Sequence, residues 1–186
     1  MSAFECHFQA LEETLPQIAF RLGDMATVVQ RDDYIGGKVV AALMRVWLEG
    51  WLKKRGIEYA VADSTQMPPD FFLDPNDKTH NLLEVKAFYS SRAPAFDIAD
   101  FRTYAGELLK KPYMLDVDYL VFSYSMSDIG IVTITNIWLK KVWGITRAME
   151  SVSTGFWPLT LQIKGRACQQ NQACKVDGQN FQIPAL

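Results

Sequence analysis

The chain has 186 residues, of which 49% are hydrophobic and 12% aromatic, so it can bury one sizeable core and is not expected to be disordered. The formal net charge is −2, with 19 basic and 21 acidic residues, which excludes a uniformly basic surface but leaves room for a locally basic groove. No stretch approaches the roughly 18–20 uncharged apolar residues of a membrane span. The odd cysteine count and the lack of a secretory signal pattern at the N-terminus lead us to expect a reducing cytoplasm.

Residues 1–35 are predicted to form an N-terminal helical segment. Apolar residues recur there at alternating four- and three-residue spacing, which is typical of a helical stripe. The stripe consists of Phe4, Phe8, Leu11, Leu15, Ile18 and Leu22. Pro16 interrupts it, so the segment is either two helices or one that restarts at the proline. We expect the stripe to cover the core, with a dimer contact as the alternative.

The most strongly patterned helix is predicted over about residues 38–54, after Gly36 and Gly37. Its apolar residues follow helical spacing, and Gly56 is predicted to cap its C-terminus. A short strand over residues 57–62 follows. Glu49 is the one acidic residue in the middle of the helix, and exposed charge is the usual state of glutamate.

The functional prediction depends on the stretch that comes next. Two short apolar runs, 70–74 and 81–88, flank a cluster of turn-forming residues, and this pattern predicts a β-hairpin. The cluster consists of Pro75, Asn76, Asp77 and Lys78. With the turn centred on Asp77, pairing across the hairpin places Asp70 opposite Glu84.

Alternation along the second strand directs Val85, and the residues two positions away on either side, toward the core. Glu84 and Lys86 then share the other face, with Asp70 across from Glu84 at about 5 Å. Two carboxylates and one ammonium group suit a hard divalent cation such as Mg²⁺ and the attack of water on a phosphate. The alternative is an edge hairpin on which Glu84 and Lys86 are solvated surface charges.

Pro69-Asp70, a gap of thirteen residues and Glu84-Val85-Lys86 together resemble the PD-(D/E)xK nuclease signature, in a setting similar to that of type II restriction endonucleases. This resemblance implies that Asp70, Glu84 and the backbone carbonyl of Val85 bind Mg²⁺, while Lys86 positions the attacking water. It also implies homodimers that cut double-stranded DNA and leave 5′-phosphate and 3′-hydroxyl ends. In that family a helix before the hairpin often supplies a further carboxylate, so Glu49 is a candidate ligand.

The loop after the hairpin contains Ser90, Ser91 and Arg92, which, with Lys78 in the hairpin turn, are candidates for contacts to DNA phosphates. Asp97 is predicted to cap a helix that runs to about residue 110. Two strands are then predicted over residues 118–124 and 130–138. A strand–helix–strand order predicts that the first of these pairs in parallel with the hairpin.

Residues 157–186 form a candidate DNA-recognition segment. After a predicted strand over residues 159–163 the sequence is rich in amides and basic residues, which are the side chains that read bases and hold phosphates. The candidates are Lys164, Arg166, Gln169, Gln170, Asn171 and Lys175. A polar C-terminal loop without such a role is equally compatible with this composition.

The whole chain, 1–186, is therefore predicted to be a single α/β nuclease domain with a mixed central β-sheet flanked by helices. Its catalytic core is placed at residues 36–140, with elements in the order α-β-β-β-α-β. The favoured function is Mg²⁺-dependent cleavage of double-stranded DNA at a short specific site. Two alternatives stay open: a repair or structure-selective nuclease of the same fold, and a non-catalytic DNA-binding or interaction module.

Overall fold

The computed structural model describes residues 4–63, 67–91, 95–145 and 158–162, with the backbone alone for 95–103 and 158–162. These ranges contain both helices and strands. They are α1 Glu5–Glu12, β1 Ala19–Arg21, α2 Ala26–Arg31, α3 Asp33–Lys54, β2 Ala60–Val61, β3 Phe71–Phe72, β4 Leu82–Tyr89, β5 Ala95–Asp100, α4 Phe101–Lys110, β6 Asp118–Met126, β7 Ile131–Lys141, α5 Val142–Ile145 and β8 Pro158–Gln162. Short 3₁₀ helices lie at Leu15–Gln17, Gly23–Met25 and Pro112–Asp116.

A six-stranded mixed sheet in the order β1-β7-β6-β4-β3-β2 forms the centre of the fold, and β5 pairs with β8 in a separate two-stranded sheet. Strands β4 and β6 are parallel, whereas the other neighbours in the large sheet are antiparallel. The predicted parallel pair and the mixed α/β fold are thus confirmed. The predicted core order is also present, with β5 added before α4.

Helix α3 begins at Asp33 and not near residue 38. The predicted start was wrong because Gly36 and Gly37 were taken for a helix boundary. The side chain of Asp32 accepts hydrogen bonds from the backbone N–H groups of Tyr34 and Ile35 and so caps the helix. Gly37 lies inside the helix, where an added Cβ would come within 2.7 Å of the carbonyl oxygen of Ala87. Glycine at this position therefore lets α3 pack directly on the backbone of β4.

The C-terminus of α3 is as predicted. Gly56 adopts a φ of +67°, a conformation that residues with a side chain rarely take. The backbone N–H of Ile57 then donates to the carbonyl oxygen of Leu52 at 3.1 Å, as in a Schellman motif.

Each face of the large sheet packs against its own hydrophobic cluster. The residues of β4 that face α3 are Leu83, Val85 and Ala87, and they join the cluster that also contains Met44 and Leu48 of that helix. The other face carries a second cluster with members from β4, β6, α4 and the segments next to them. Its buried residues are Leu82, Phe88, Tyr104, Met114, Val117, Tyr119, Val121, Val142 and Ile145. Both faces of β4 are therefore covered.

The N-terminal stripe packs in the first cluster, where Phe4, Leu11 and Ile18 are buried. The prediction that residues 1–35 are helical is wrong for β1, which pairs antiparallel with β7. Strand β7 would otherwise have an unpaired edge, and pairing with β1 satisfies its backbone groups. The stripe thus covers the core, as expected.

Asp97 is not the cap of α4, because it lies within β5 and pairs with Thr160 of β8. The helix starts later, at Phe101. The partner strand β8 lies some sixty residues further along the chain, and the local sequence pattern does not reveal it. Pairing with β8 therefore overrides the helix that local propensity predicts for residues 97–100. The predicted strands β6, β7 and β8 are present, and no described helix is long and apolar enough to cross a membrane.

Candidate active site

The hairpin formed by β3 and β4 has the register that a turn centred on Asp77 predicts, with Phe72 opposite Leu82. Extending this register by two residues places Asp70 opposite Glu84. The backbone N–H of Asp70 still donates to the carbonyl oxygen of Leu83 at 3.0 Å, and the Asp70 side chain provides the next contact to β4. Its Oδ2 accepts a hydrogen bond from the backbone N–H of Val85 at 2.8 Å, so the carboxylate is fixed against β4 and is 7% exposed.

The turn of the hairpin is held by its own side chains. Asp77 Oδ1 accepts hydrogen bonds from the backbone N–H and the hydroxyl of Thr79, and Asp77 Oδ2 lies 2.8 Å from Nδ1 of His80. These bonds, above all the one from the Thr79 hydroxyl, lower the pKa of Asp77 to about 2. Lys78 is exposed at the tip, with its Nζ 5.6 Å from the centre of the Phe72 ring.

Glu84 and Lys86 form an ion pair on the β4 face opposite α3. Lys86 Nζ lies 2.6 Å from Glu84 Oε1, and the two side chains are 19% and 8% exposed. Because β4 lies between β3 and β6, the alternative of solvated charges on an edge hairpin is wrong. The structure brings the three predicted side chains to one part of the sheet.

Helix α3 contributes a fourth charged group, Arg45, which the sequence analysis missed. Its Nη1 lies 2.5 Å from Oδ1 of Asp70, and its side chain is 30% exposed. Glu49, one turn further along the helix, instead accepts a hydrogen bond from the hydroxyl of Tyr59 at 3.2 Å. Helical spacing places residues 45 and 49 on the same side of α3, so the helix face that carries Glu49 also carries Arg45.

Burial is the main influence on the charge state of Glu84. The pKa of Glu84 is raised to about 7, because burial and, to a smaller extent, the charge of Asp70 outweigh the opposing effects of Lys86 and Arg45. Two buried carboxylates that repel each other are a favourable place for a divalent cation.

A hard cation fits this set of donors. Among the described residues no three His, Cys, Asp or Glu side chains come together as a metal site, so Asp70 and Glu84 form a two-carboxylate set. Such a set suits Mg²⁺, which usually keeps several waters and binds one or two carboxylates plus substrate phosphate.

Two buried hydroxyl groups lie on the same face as Glu84. Tyr119 of β6 pairs with Glu84 of β4, and Tyr104 of α4 lies next to it. The two hydroxyls lie close enough to influence each other's pKa, but neither makes a well-formed hydrogen bond among the described residues, and burial raises the pKa of Tyr119. Sequence analysis could not find this pair, because the register of two parallel strands is not set by a turn between them.

The candidate phosphate contacts are only partly placed. Ser90 and Ser91 are exposed in the turn that follows β4, and the backbone N–H of Ser90 donates to the carbonyl oxygen of Tyr124 at 2.8 Å. Arg92 lies outside the described residues. So do the recognition candidates, namely Lys164, Arg166, Gln169, Gln170, Asn171 and Lys175.

Comparisons with known proteins identify relatives of the chain. The family model described as NgoBV restriction endonuclease matches residues 5–175. The type II restriction enzyme NlaIV of Neisseria lactamica is 52% identical over 148 residues, which are 80% of this chain and 57% of that protein. The type II restriction enzyme NgoBV of Neisseria gonorrhoeae is 46% identical over 140 residues, which are 75% of this chain and 77% of that protein.

A solved structure is also similar. The NlaIV restriction endonuclease superposes with a TM-score of 0.65 at 46% identity, and the match covers 81% of this chain and 61% of that one. The chain therefore spans less than two thirds of the length of NlaIV in both comparisons.

Proposed function

The chain belongs to the NgoBV restriction endonuclease family, and on this basis we propose that it is a Mg²⁺-dependent type II restriction endonuclease. It would hydrolyse double-stranded DNA at a short specific site and leave 5′-phosphate and 3′-hydroxyl ends. The observation that carries the proposal is the convergence of Asp70, Glu84 and Lys86 on one buried hairpin. Buried ionisable groups are costly and cluster at functional sites.

Asp70 and Glu84 would hold the ion, together with the backbone carbonyl of Val85, and Glu49 is a further candidate ligand. When bound, Mg²⁺ would supply charge stabilisation for the phosphate under attack. Asp70 is held in place for this task by the N–H of Val85. The ion pair along β4 keeps Glu84 and Lys86 together.

Lys86 would act on the attacking water. Its ammonium group donates hydrogen bonds and can orient the water in line with the scissile P–O3′ bond. A bond forms between the water oxygen and phosphorus while the P–O3′ bond breaks. The attacking water gives up one proton to the solvent and the 3′-oxygen takes one up from it, which gives the 3′-hydroxyl, and the phosphate stays on the 5′ side.

DNA would approach this site from the side on which the side chains of Arg45 and Lys86 are partly exposed. The exposed side chains of Lys78, Ser90 and Ser91 can contact phosphates on either side of the hairpin. We assign sequence recognition to the basic and amide-rich segment within 157–186. We also propose that the protein acts as a homodimer in the cytoplasm, where the DNA substrate is found.

The experiment is digestion of plasmid DNA by the purified protein with Mg²⁺ or with EDTA. We expect discrete bands with Mg²⁺ only, and loss of cleavage in Asp70→Asn and Lys86→Ala. Lys110→Ala is the matched control, since Lys110 is an exposed lysine whose partner is Glu107 on its own helix. Active Asp70→Asn and Lys86→Ala variants would remove this site from the mechanism. Cleavage of branched DNA alone would indicate a structure-selective nuclease, and binding without cleavage a non-catalytic module.

A further inference from the structure

With Glu84 ionised, as it must be to hold a cation, the four charged groups of the site neutralise one another. Asp70 is paired with Arg45 at 2.5 Å, and Glu84 with Lys86 at 2.6 Å. Both carboxylates are more than nine-tenths buried. A divalent cation that joins this balanced set adds two uncompensated positive charges in a region of low dielectric, where charge is costly. An anion that enters with the cation reduces this cost.

Lys86 and Arg45 differ in how they can respond when a cation and an anion enter the site. Lys86 lies on the same strand as its partner, two residues away, and its side chain is 19% exposed. Arg45 reaches Asp70 from a different element, α3, and its side chain is 30% exposed. A guanidinium is planar and matches phosphate oxygens with paired N–H donors, so phosphate is a natural second partner for Arg45.

Arg45 also contacts the oxygen atom that is most useful to a cation. Asp70 Oδ2 is engaged by the N–H of Val85, whereas Oδ1 is the oxygen that Arg45 binds. A cation that approaches Asp70 on the Oδ1 side meets the positive charge of Arg45. The guanidinium and the cation therefore compete for the same carboxylate.

We propose that Arg45 is a positioning residue that makes Mg²⁺ binding at Asp70 conditional on a DNA phosphate. This rests on the proposed function and deepens it. The guanidinium exchanges Asp70 for a phosphodiester group when DNA is bound, and the ion then takes the released carboxylate oxygen. Mg²⁺ and DNA consequently raise each other's affinity by the same factor, as linkage requires.

The test measures Mg²⁺ affinity by calorimetric titration, or by the rise of Tm with Mg²⁺ concentration. Wild type, Arg45→Gln and Arg45→Lys are compared without DNA and with a short duplex that the protein does not cut. Arg55→Gln is the matched control: Arg55 follows the same helix, roughly 15 Å away at 1.5 Å per residue, and its guanidinium lies 4.5 Å from the Trp51 ring centre.

We expect Arg45→Gln to bind Mg²⁺ alone about tenfold more tightly than wild type, because a nearby positive charge is removed. The factor by which the duplex improves Mg²⁺ binding should fall in the same variant. Arg45→Lys keeps the charge and should stay close to wild type, and Arg55→Gln should not differ from it.

Unchanged or weaker Mg²⁺ binding in Arg45→Gln would overturn the proposal. If Arg45→Gln does not fold, the measurement on wild type alone tests the proposal. A Mg²⁺ affinity of wild type that does not change when the duplex is added would equally overturn the proposal. This test measures binding and not cleavage. A protein that shows the coupling between Mg²⁺ and the duplex but cuts no DNA would therefore contradict the proposed nuclease function and leave the role of Arg45 intact. Mg²⁺ binding that persists in Asp70→Asn would place the ion elsewhere and refute the role of Arg45.

Discussion

Glu84 is a buried carboxyl group whose charged form is disfavoured by the fold. Its pKa is raised to about 7, chiefly by burial, above the value of roughly 4.3 for an unperturbed glutamate. The folded protein thus binds this proton more tightly than the unfolded chain does. The contribution of Glu84 to stability is greatest below the unfolded pKa and is lost as the pH rises through about 7.

We therefore expect Glu84→Gln, in EDTA, to be more stable than wild type at pH 8 by about 1–3 kcal/mol and to lose this advantage near pH 4.5. Urea unfolding at both pH values measures it. Glu107→Gln should instead be less stable than wild type at pH 8, because hydrogen bonds from Lys110 and Lys111 lower the pKa of Glu107. Equal pH dependence in wild type and Glu84→Gln would contradict the prediction.

Tyr119 provides a second prediction for a single residue. Its buried hydroxyl lies close to that of Tyr104 but makes no well-formed hydrogen bond among the described residues, so Tyr119→Phe should leave the free energy of unfolding unchanged or raise it by up to about 1 kcal/mol. Ser123→Ala on the same strand is the comparison, since the Ser123 hydroxyl lies 2.6 Å from Oγ1 of Thr135, and this variant should lose about 1 kcal/mol. A clear loss of stability in Tyr119→Phe would show that its hydroxyl is bonded in solution.

The contact between α3 and β4 determines the position of the site. Gly37 lies where any side chain would meet the carbonyl oxygen of Ala87, one residue beyond Lys86. We expect Gly37→Ala to lose about 1–3 kcal/mol of stability and to reduce DNA cleavage, because β4 must move. Urea unfolding and a plasmid assay measure the two effects.

Gly50 of the same helix is the control for this prediction. An added Cβ at Gly50 meets nothing within 4 Å, so Gly50→Ala should gain up to about 1 kcal/mol from helix propensity alone. If both variants shifted stability in the same direction by similar amounts, the close approach of α3 to β4 would not be the cause.

Local patterns predicted the hairpin best. The turn residues and the alternation along β4 predicted which residues pair across the hairpin, and the register of the fold agrees with that prediction. Asp70 and Glu84 were therefore correctly predicted to lie opposite each other. Features that depend on distant partners were missed, namely β1 and β5. The start of α3 at Asp33 was missed for a local reason, since the cap provided by Asp32 was overlooked and the two glycines were taken for a helix boundary. Arg45 was missed for the same reason as β1 and β5, since its partner Asp70 becomes visible only once α3 is packed on the sheet.

The charge of the molecule as a whole is slightly negative, so the proposed DNA substrate would have to be attracted by local groups rather than by a general field. Part of the negative charge is neutralised within the site by Arg45 and Lys86. Binding should accordingly weaken with salt in proportion to the number of phosphates contacted. A surface of this kind favours DNA only where the basic side chains are gathered.

Each chain contains one set of Asp70, Glu84 and Lys86, whereas a duplex has two strands to cut. A dimer with two-fold symmetry supplies one site for each strand. We expect the protein to linearise a plasmid without accumulation of nicked circles at concentrations where it is dimeric, and to accumulate nicked circles on dilution. Agarose gels measure the products, and sedimentation compares the mass with the 21.1 kDa of one chain.

Mixing provides the decisive control for this prediction. Lys86→Ala chains added in excess should form mixed dimers with wild type, each with one competent site, and the main product should then be the nicked circle. If the chains acted as independent monomers, the excess would change the rate but not the ratio of nicked to linear product. Linear product without nicked circles in the presence of excess Lys86→Ala would show that one chain cuts both strands.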